Sequence, residues 1–274
     1  MRRTAFVFAM AAVGLASARA FAEAPSPSRA QLVTGTEAIR AGQPFWLAVH
    51  IQLDDGWHTY WRNPGDAGTS PQIRWQLPLG MQAEPISWPY PSLFREGPLV
   101  TYGYSDSAWL FTRMTAPAES GASISIAADV EWLVCRDICI PQYAELVLVV
   151  PVAGSEDNSV PAVGFADSLA DIPQKSPWPA FYDVDSERLV LTIRTPNLDA
   201  AEAWFFPHDY GVIDHAANQQ MSRSDLGLHV TMRRSMSGKD LSGNVAGALV
   251  VRAEGGPRAY EIIAVPAPKE DEKG

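Results

Sequence analysis

The 274-residue chain has only two cysteines and, beyond its first two dozen residues, no apolar run long enough to cross a bilayer. Two cysteines cannot build a disulfide-stapled scaffold, and a chain of this size needs none, because a domain of ordinary length buries enough apolar surface to fold without bridges. Positive charge is also short: 21 Lys and Arg stand against 31 Asp and Glu, a net charge of −10. Such an acidic surface argues against nucleic acid and anionic membrane as partners. No βαβ alternation, long amphipathic helix or internal repeat is evident in the sequence, which sets aside doubly wound and bundle architectures.

What is present begins with a leader. MRRTAFVFAMAAVGLASARAFAEA joins two arginines to an apolar run from Ala5 to Ala18, with small residues at Ala18, Ala20 and Ala22. This pattern predicts a signal peptide over residues 1–22, cleaved after Ala20 or Ala22, since the run is well short of the ~20 residues of a membrane span. Losing Arg2, Arg3 and Arg19 would take the mature chain to −13. The destination is a compartment in which disulfides persist, with no direct membrane span in the mature chain.

The body reads as β throughout. In FWLAVHIQL, Phe45, Leu47, Val49, Ile51 and Leu53 share one face and Trp46, Ala48, His50 and Gln52 the other. The same alternation returns at Ile124, Ile126, Ala128, Val130 and Trp132, and at Ala144, Leu146, Leu148 and Val150, with turn clusters such as NPGDAG (63–68) between. A polar, Pro-punctuated stretch, VAGSEDNSVPAV (152–163), precedes FADSLADI (165–172), which predicts one short helical turn. ERLVLTIRT, EAWFFP, LGLHVTM and GALVVRA then mark a second β block. The reading is all-β: two immunoglobulin-like antiparallel β-sandwich domains, 28–152 and 178–266, joined by a linker at 153–177 and followed by a charged tail, 267–274. A hydrophobic share of 47% with nine tryptophans fills the cores.

Both cysteines lie in EWLVCRDICIPQ (131–142), at the end of one alternating strand and before the next resumes near Tyr143. Three readings compete. A bridge between Cys135 and Cys139 is possible if a turn brings the Cα atoms to about 4.4–6.8 Å. It would close so small a loop that it removes little chain entropy, which makes a poor staple. A zinc site wants four ligands where two thiols are local, with His58, His208, His215 and His229 scattered; Cu(I) could be held by the two thiols and a third soft ligand. CxxCH haem attachment is excluded by spacing. Thiol–disulfide exchange needs an attacking and a resolving thiol, which a neighbouring pair supplies. Arg136 would favour a thiolate and Asp137 would oppose it, so the residues do not settle the thiol pKa.

Three segments in order, DGWHTYWRNPGDAG (55–68), ISWPYPSLFREGPLVTYGYSD (86–106) and EWLVCRDICIPQ, resemble the N-terminal periplasmic domain of the transmembrane disulfide reductase DsbD, in its suppressor of copper sensitivity protein B (ScsB) branch. The resemblance implies a periplasmic location and an immunoglobulin-like domain that takes electrons from a membrane protein and reduces thioredoxin-like or peroxide-reducing partners, with no cofactor. It also implies that Cys139 attacks the partner's disulfide and Cys135 resolves. It places a cap over the pair at LVTYGY (99–104). Thr101 stands where well-known members carry a shielding phenylalanine, so Tyr102, Gly103 and Tyr104 become the cap candidates. Trp57, Tyr60, Trp61 and Arg136 become candidates for lining the site. Relatives continue into membrane helices and a thioredoxin domain, so a chain ending at PKEDEKG is expected to draw on a separate membrane electron donor. The copper-tolerance reading, with Cys135 and Cys139 binding Cu(I), stays open beside it.

Overall fold

The computed structural model describes residues 26–153, 163–195, 198–236, 238 and 240–268; the predicted signal peptide, part of the predicted linker and most of the predicted tail lie outside the described residues. In chain order the first lobe contains β1 (Ser28–Thr34), β2 (Pro44–Leu53), β3 (His58–Gly65), β4 (Gln72–Gln76), β5 (Gln82–Ala83), β6 (Ser92–Glu96), β7 (Leu99–Ser105), β8 (Ser107–Thr115), β9 (Ser123–Cys135) and β10 (Cys139–Pro151). A short helix, α1 (Phe165–Ala170), leads to β11 (Gln174–Lys175), β12 (Ala180–Val184), β13 (Arg188–Ile193), β14 (Glu202–Pro207), β15 (Gln220–Ser224), β16 (Gly227–Arg233), β17 (Val245–Ala253) and β18 (Gly256–Pro266).

The first lobe is a sandwich of two antiparallel sheets. One has the order β1-β2-β8-β5; the other runs β10-β9-β3-β7-β6, with β4 also paired to β9. Period-two alternation dictates this packing: Leu47, Val49 and Ile51 of β2 face Ile126, Val130 and Val134 of β9 across one core, all of them buried. Outside the first sheet, Trp109 and Phe111 are covered by Phe165 of α1, which gives the short helix its place. The second lobe is one strongly curled sheet, β14-β17-β18-β12-β13-β16-β15. It departs from a purely antiparallel sandwich, because β11 and β12 pair parallel to β18. Its core is hydrocarbon, with Leu189, Leu191, Ile193, Phe205, Leu249 and Ile262 fully buried.

One strand begins earlier than the sequence pattern predicts. β10 starts at Cys139 rather than near Tyr143, pairing in unbroken register with β9 from Cys139↔Cys135 to Pro151↔Ser123. Pro141 had masked it. The strand lies at the sheet edge, where a missing N–H costs no ladder bond.

The lobes share a buried seam. Phe206, Ala248, Val250 and Ala259 of the second lobe belong to the same apolar cluster as the first-lobe core. Asn63 of β3, itself buried, donates to the carbonyls of Pro207 (2.8 Å) and Asp209 (3.2 Å).

Candidate functional site

The β9–β10 hairpin ends in a three-residue loop, Arg136–Asp137–Ile138, closed by a bond from Arg136 N–H to the Ile138 carbonyl at 3.1 Å. Cys135 and Cys139 face each other across it, with Cα atoms 4.1 Å apart, and are joined as a disulfide. Their surroundings differ. Cys135 is 1% exposed, whereas Cys139, at the start of the edge strand, is exposed to solvent.

Cys135 is buried because β3 lies beside it, with His58 its cross-strand partner. Residues two apart on a strand share a face, so Tyr60 points the same way as His58. Its hydroxyl donates to Cys135 Sγ at 2.8 Å and lies 3.9 Å from Cys139 Sγ. The tyrosine ring fits there because Gly68 has no side chain: a Cβ at that position, where φ is +92°, would come within 2.2 Å of the ring. The glycine of the NPGDAG turn thus seats the side chain that touches the sulfur. Burial, reinforced by Glu96, pushes the Tyr60 hydroxyl up to about 12, so it remains a proton donor at neutral pH.

His58 forms the outer wall. Its ring stacks on Phe94 (4.8 Å between centroids, 16° between planes) and meets Tyr60 edge-on at 5.3 Å. Nε2 has no hydrogen-bond partner among the described residues; Glu96 Oε1 is 3.8 Å away, too far for one. Burial pulls the imidazole below its ordinary value of 6.5, partly offset by Glu96, so the ring beside the sulfur is neutral at physiological pH.

The other expected residues divide between this site and the seam. Arg136 lies over the Trp57 ring at 5.0 Å and bonds Asp137 at 3.1 Å, so its charge is spent on an aromatic face and a neighbouring carboxylate. Trp61 instead meets Phe206 and His208 of the second lobe. The cap candidates also turn elsewhere. Tyr102 is fully buried, its hydroxyl hydrogen-bonded with Nδ1 of His215 at 3.0 Å and its ring edge-on to Phe206. Tyr104 donates to the Pro89 carbonyl at 2.8 Å. Gly103 marks a close approach of two backbones, since a Cβ there would meet the Thr59 carbonyl oxygen at 1.9 Å. The aromatic ring stacked on His58 is Phe94 of β6, whose backbone pairs with Thr101 of β7, while all of Val100–Tyr104 is buried. The sequence reading weighed His58 only as one of the scattered histidines and did not single out Phe94 or Glu96; their signal lay within the quoted DGWH and SLFREG runs, but only strand pairing brings them together. Among the described residues no three His, Cys, Asp or Glu side chains are grouped to hold a metal ion.

A hairpin disulfide with one sulfur open and one sealed, set in an immunoglobulin-like sandwich, defines a candidate redox domain. The family described as "Thiol:disulfide interchange protein DsbD, N-terminal" matches residues 29–151, the span of the first lobe. The fold of both lobes together is that of the N-terminal periplasmic domain of ScsB from Proteus mirabilis, superposed with a TM-score of 0.62 at 19% identity over 89% of this chain and 95% of that one. An endo-fucoidan hydrolase of glycoside hydrolase family 107 (TM-score 0.21, 11% identity, 88% of this chain and 34% of that one) and a marsupial T cell receptor (0.19, 13%, 88% and 98%) align too loosely to inform the site. No curated protein sequence matches. Among the described residues no helix is long and apolar enough to cross a membrane.

Proposed function

We propose that the protein is a periplasmic thiol–disulfide exchange module whose Cys135–Cys139 pair passes two electrons to thioredoxin-like or peroxide-reducing partners, and is recharged by a separate membrane electron donor. The observation that carries this reading is the asymmetry of the pair: Cys139 is open to solvent and Cys135 is sealed beneath Tyr60. In the reduced protein, the Cys139 thiolate attacks a partner disulfide and one partner sulfur leaves as a thiolate that takes up a proton. Cys135 then loses its proton, attacks Cys139 Sγ in the mixed disulfide and expels the second partner sulfur, which is protonated in turn. Two electrons and two protons have moved to the partner, and the Cys135–Cys139 bond has re-formed. In the reverse direction Cys135 is the leaving group, and the Tyr60 O–H stabilises its developing negative charge. On this reading the first lobe is the working domain and the second its support.

The test is to mix reduced protein with an oxidised thioredoxin-like protein and count free thiols on both by mass spectrometry. Transfer in wild type, no turnover in Cys135→Ser but a trapped mixed disulfide through Cys139, and neither in Cys139→Ser are expected. No exchange with any such partner, together with stoichiometric Cu(I) uptake by both thiols, would move the pair's role to copper binding.

A further inference from the structure

The chain passes from one sheet of the first lobe to the other through a single residue. Asp106 joins β7 to β8 at φ 61°, the one positive φ among the described residues that are not glycine. A short polar side chain tolerates that conformation. The corner is held by a bond from Leu53 N–H to the Asp106 carbonyl at 2.9 Å, and Asp106 lines two neighbouring cavities beside α1 that also share Ser107, Trp109 and Ser168. Neither cysteine lines either of them.

The smaller cavity, about 310 Å³, has walls of one electrical kind. Asp106 and Asp171 line it with the rings of Tyr90, Tyr104 and Trp109 and four serines, and no Lys, Arg or His among the described residues does. Neither carboxylate forms an ion pair among the described residues. Burial and the nearby Asp167 push the Asp171 carboxyl above its ordinary value, partly offset by the Tyr90 hydroxyl. Carboxylates without a counter-charge, set among aromatic rings, favour an organic cation over an anion. The larger cavity, about 540 Å³, continues past Trp109 to His50, Arg29 and Asp54. His50 is 8% exposed and stacks on Trp109 with 3.7 Å between centroids. Its Nδ1 is bonded with Gln31 at 3.4 Å, and no bond engages Nε2 among the described residues. A buried ring nitrogen in a cavity wall calls for a polar partner.

We propose that the two cavities form one site for a small aliphatic amine, with its ammonium group against Asp106 and Asp171, its hydrocarbon chain along Trp109 and its far end in the chamber of His50 and Arg29. Two sources carry this chemistry, a diamine such as putrescine and a basic amino acid such as lysine. They differ at the far end: Arg29 repels a second ammonium, which Asp54 attracts, whereas it pairs with a carboxylate. This is a binding activity of the first lobe separate from the disulfide, and it does not rest on the exchange reading.

The experiment titrates the oxidised protein with putrescine, lysine and, as an anionic control, succinate, by calorimetry at low ionic strength. Saturable binding of at least one amine is expected, with none of succinate and with shifts of the Asp106 and Ser107 amides in nitrogen–proton correlation spectra. Asp171→Asn and Asp106→Asn keep the shape of the site and should each weaken amine binding about tenfold, the factor for losing a hydrogen bond to a charged group. Neither should change the rate at which dithiothreitol reduces the disulfide. Arg29→Ala separates the sources: a loss confined to lysine assigns the site to a basic amino acid, and undiminished putrescine binding with no lysine binding in wild type assigns it to a diamine. Absence of binding by both amines at millimolar concentration, equal binding of succinate, or amine binding that survives both Asp→Asn substitutions would overturn the site. Failure of exchange with thioredoxin-like proteins would sink the function proposed above without touching this result.

Discussion

The two lobes follow the same alternation rule but treat buried polarity differently. Among the described residues the first lobe buries Ser28, His50, His58, Thr59, Asn63, Thr101 and Thr112, whereas the second buries only Thr195 and His215, and His215 faces the first lobe. A buried polar group costs free energy unless it is fully partnered, so a sandwich built for stability alone would resemble the second lobe. Much of the excess in the first lobe lies near the disulfide or the seam: His58 and Thr59 on β3 beside Cys135, and Asn63 reaching across to Pro207 and Asp209. Buried polar atoms without a partner among the described residues occur in both lobes, on His58, Trp61, Thr101 and Thr112 of the first and on Thr195, Trp204 and His215 of the second. What sets the first lobe apart is therefore the number of buried polar side chains, with His58 and Thr59 beside the disulfide, where departures from a consistent pattern are expected at a functional site.

A core substitution in the second lobe should break the comparison most visibly if it is wrong. Leu191 is fully buried in β13, away from the seam. Leu191→Ala is expected to cost ~2–5 kcal/mol of stability through lost burial and a residual cavity. Disulfide exchange measured well below the lowered melting temperature should keep its wild-type rate. Loss of exchange in a variant that retains a native circular dichroism spectrum would mean that the second lobe participates in the chemistry itself.

Tyr60→Phe sharpens the comparison from the other side, at a site where one polar atom matters and volume does not change. Losing the hydroxyl at Cys135 Sγ is expected to slow reduction by dithiothreitol about fivefold, the equivalent of ~1 kcal/mol for one hydrogen bond to the departing sulfur. The melting temperature should shift little. An unaltered rate would show that the O–H contact in the oxidised protein does not survive into the transition state.

Most of the strand content was legible, because alternation in segments such as 45–53, 124–132 and 144–150 is a local property and needs no knowledge of partners. The hairpin position of the cysteines followed from it, as did the short helix at 165–170. Where β10 begins did not, since Pro141 reads as a break unless the strand is known to be an edge. The surroundings of the disulfide were the least legible. His58 lies 77 residues before Cys135, Phe94 reaches it through β7, and the roots of Tyr102 and Trp61 in the seam depend on a second lobe that begins after them. The family likeness supplied the sulfur roles and the idea of a cap, and strand register is what brings Phe94 onto His58.

The smallest expected effect concerns pH and tests the seam. His215 is buried between the lobes with its pKa held below the ordinary 6.5 by burial, against the opposing pull of Asp66 and Asp214. His50 and His58 are displaced in the same direction, also by burial. In the unfolded chain these rings take up protons as pH falls through about 6.5, while the folded protein resists until lower pH. The unfolded state therefore binds more protons in that window, so stability is complete above it and declines as pH falls below it. A thermal-melt series should be flat from neutral to mildly alkaline pH and slope downward on the acid side. His215→Gln, which keeps a polar group opposite Tyr102 without a titrating ring, should flatten part of that slope and leave the rest to His50 and His58. If the slope is the same in the variant, the seam is insensitive to protons and the acid sensitivity belongs to the first lobe alone.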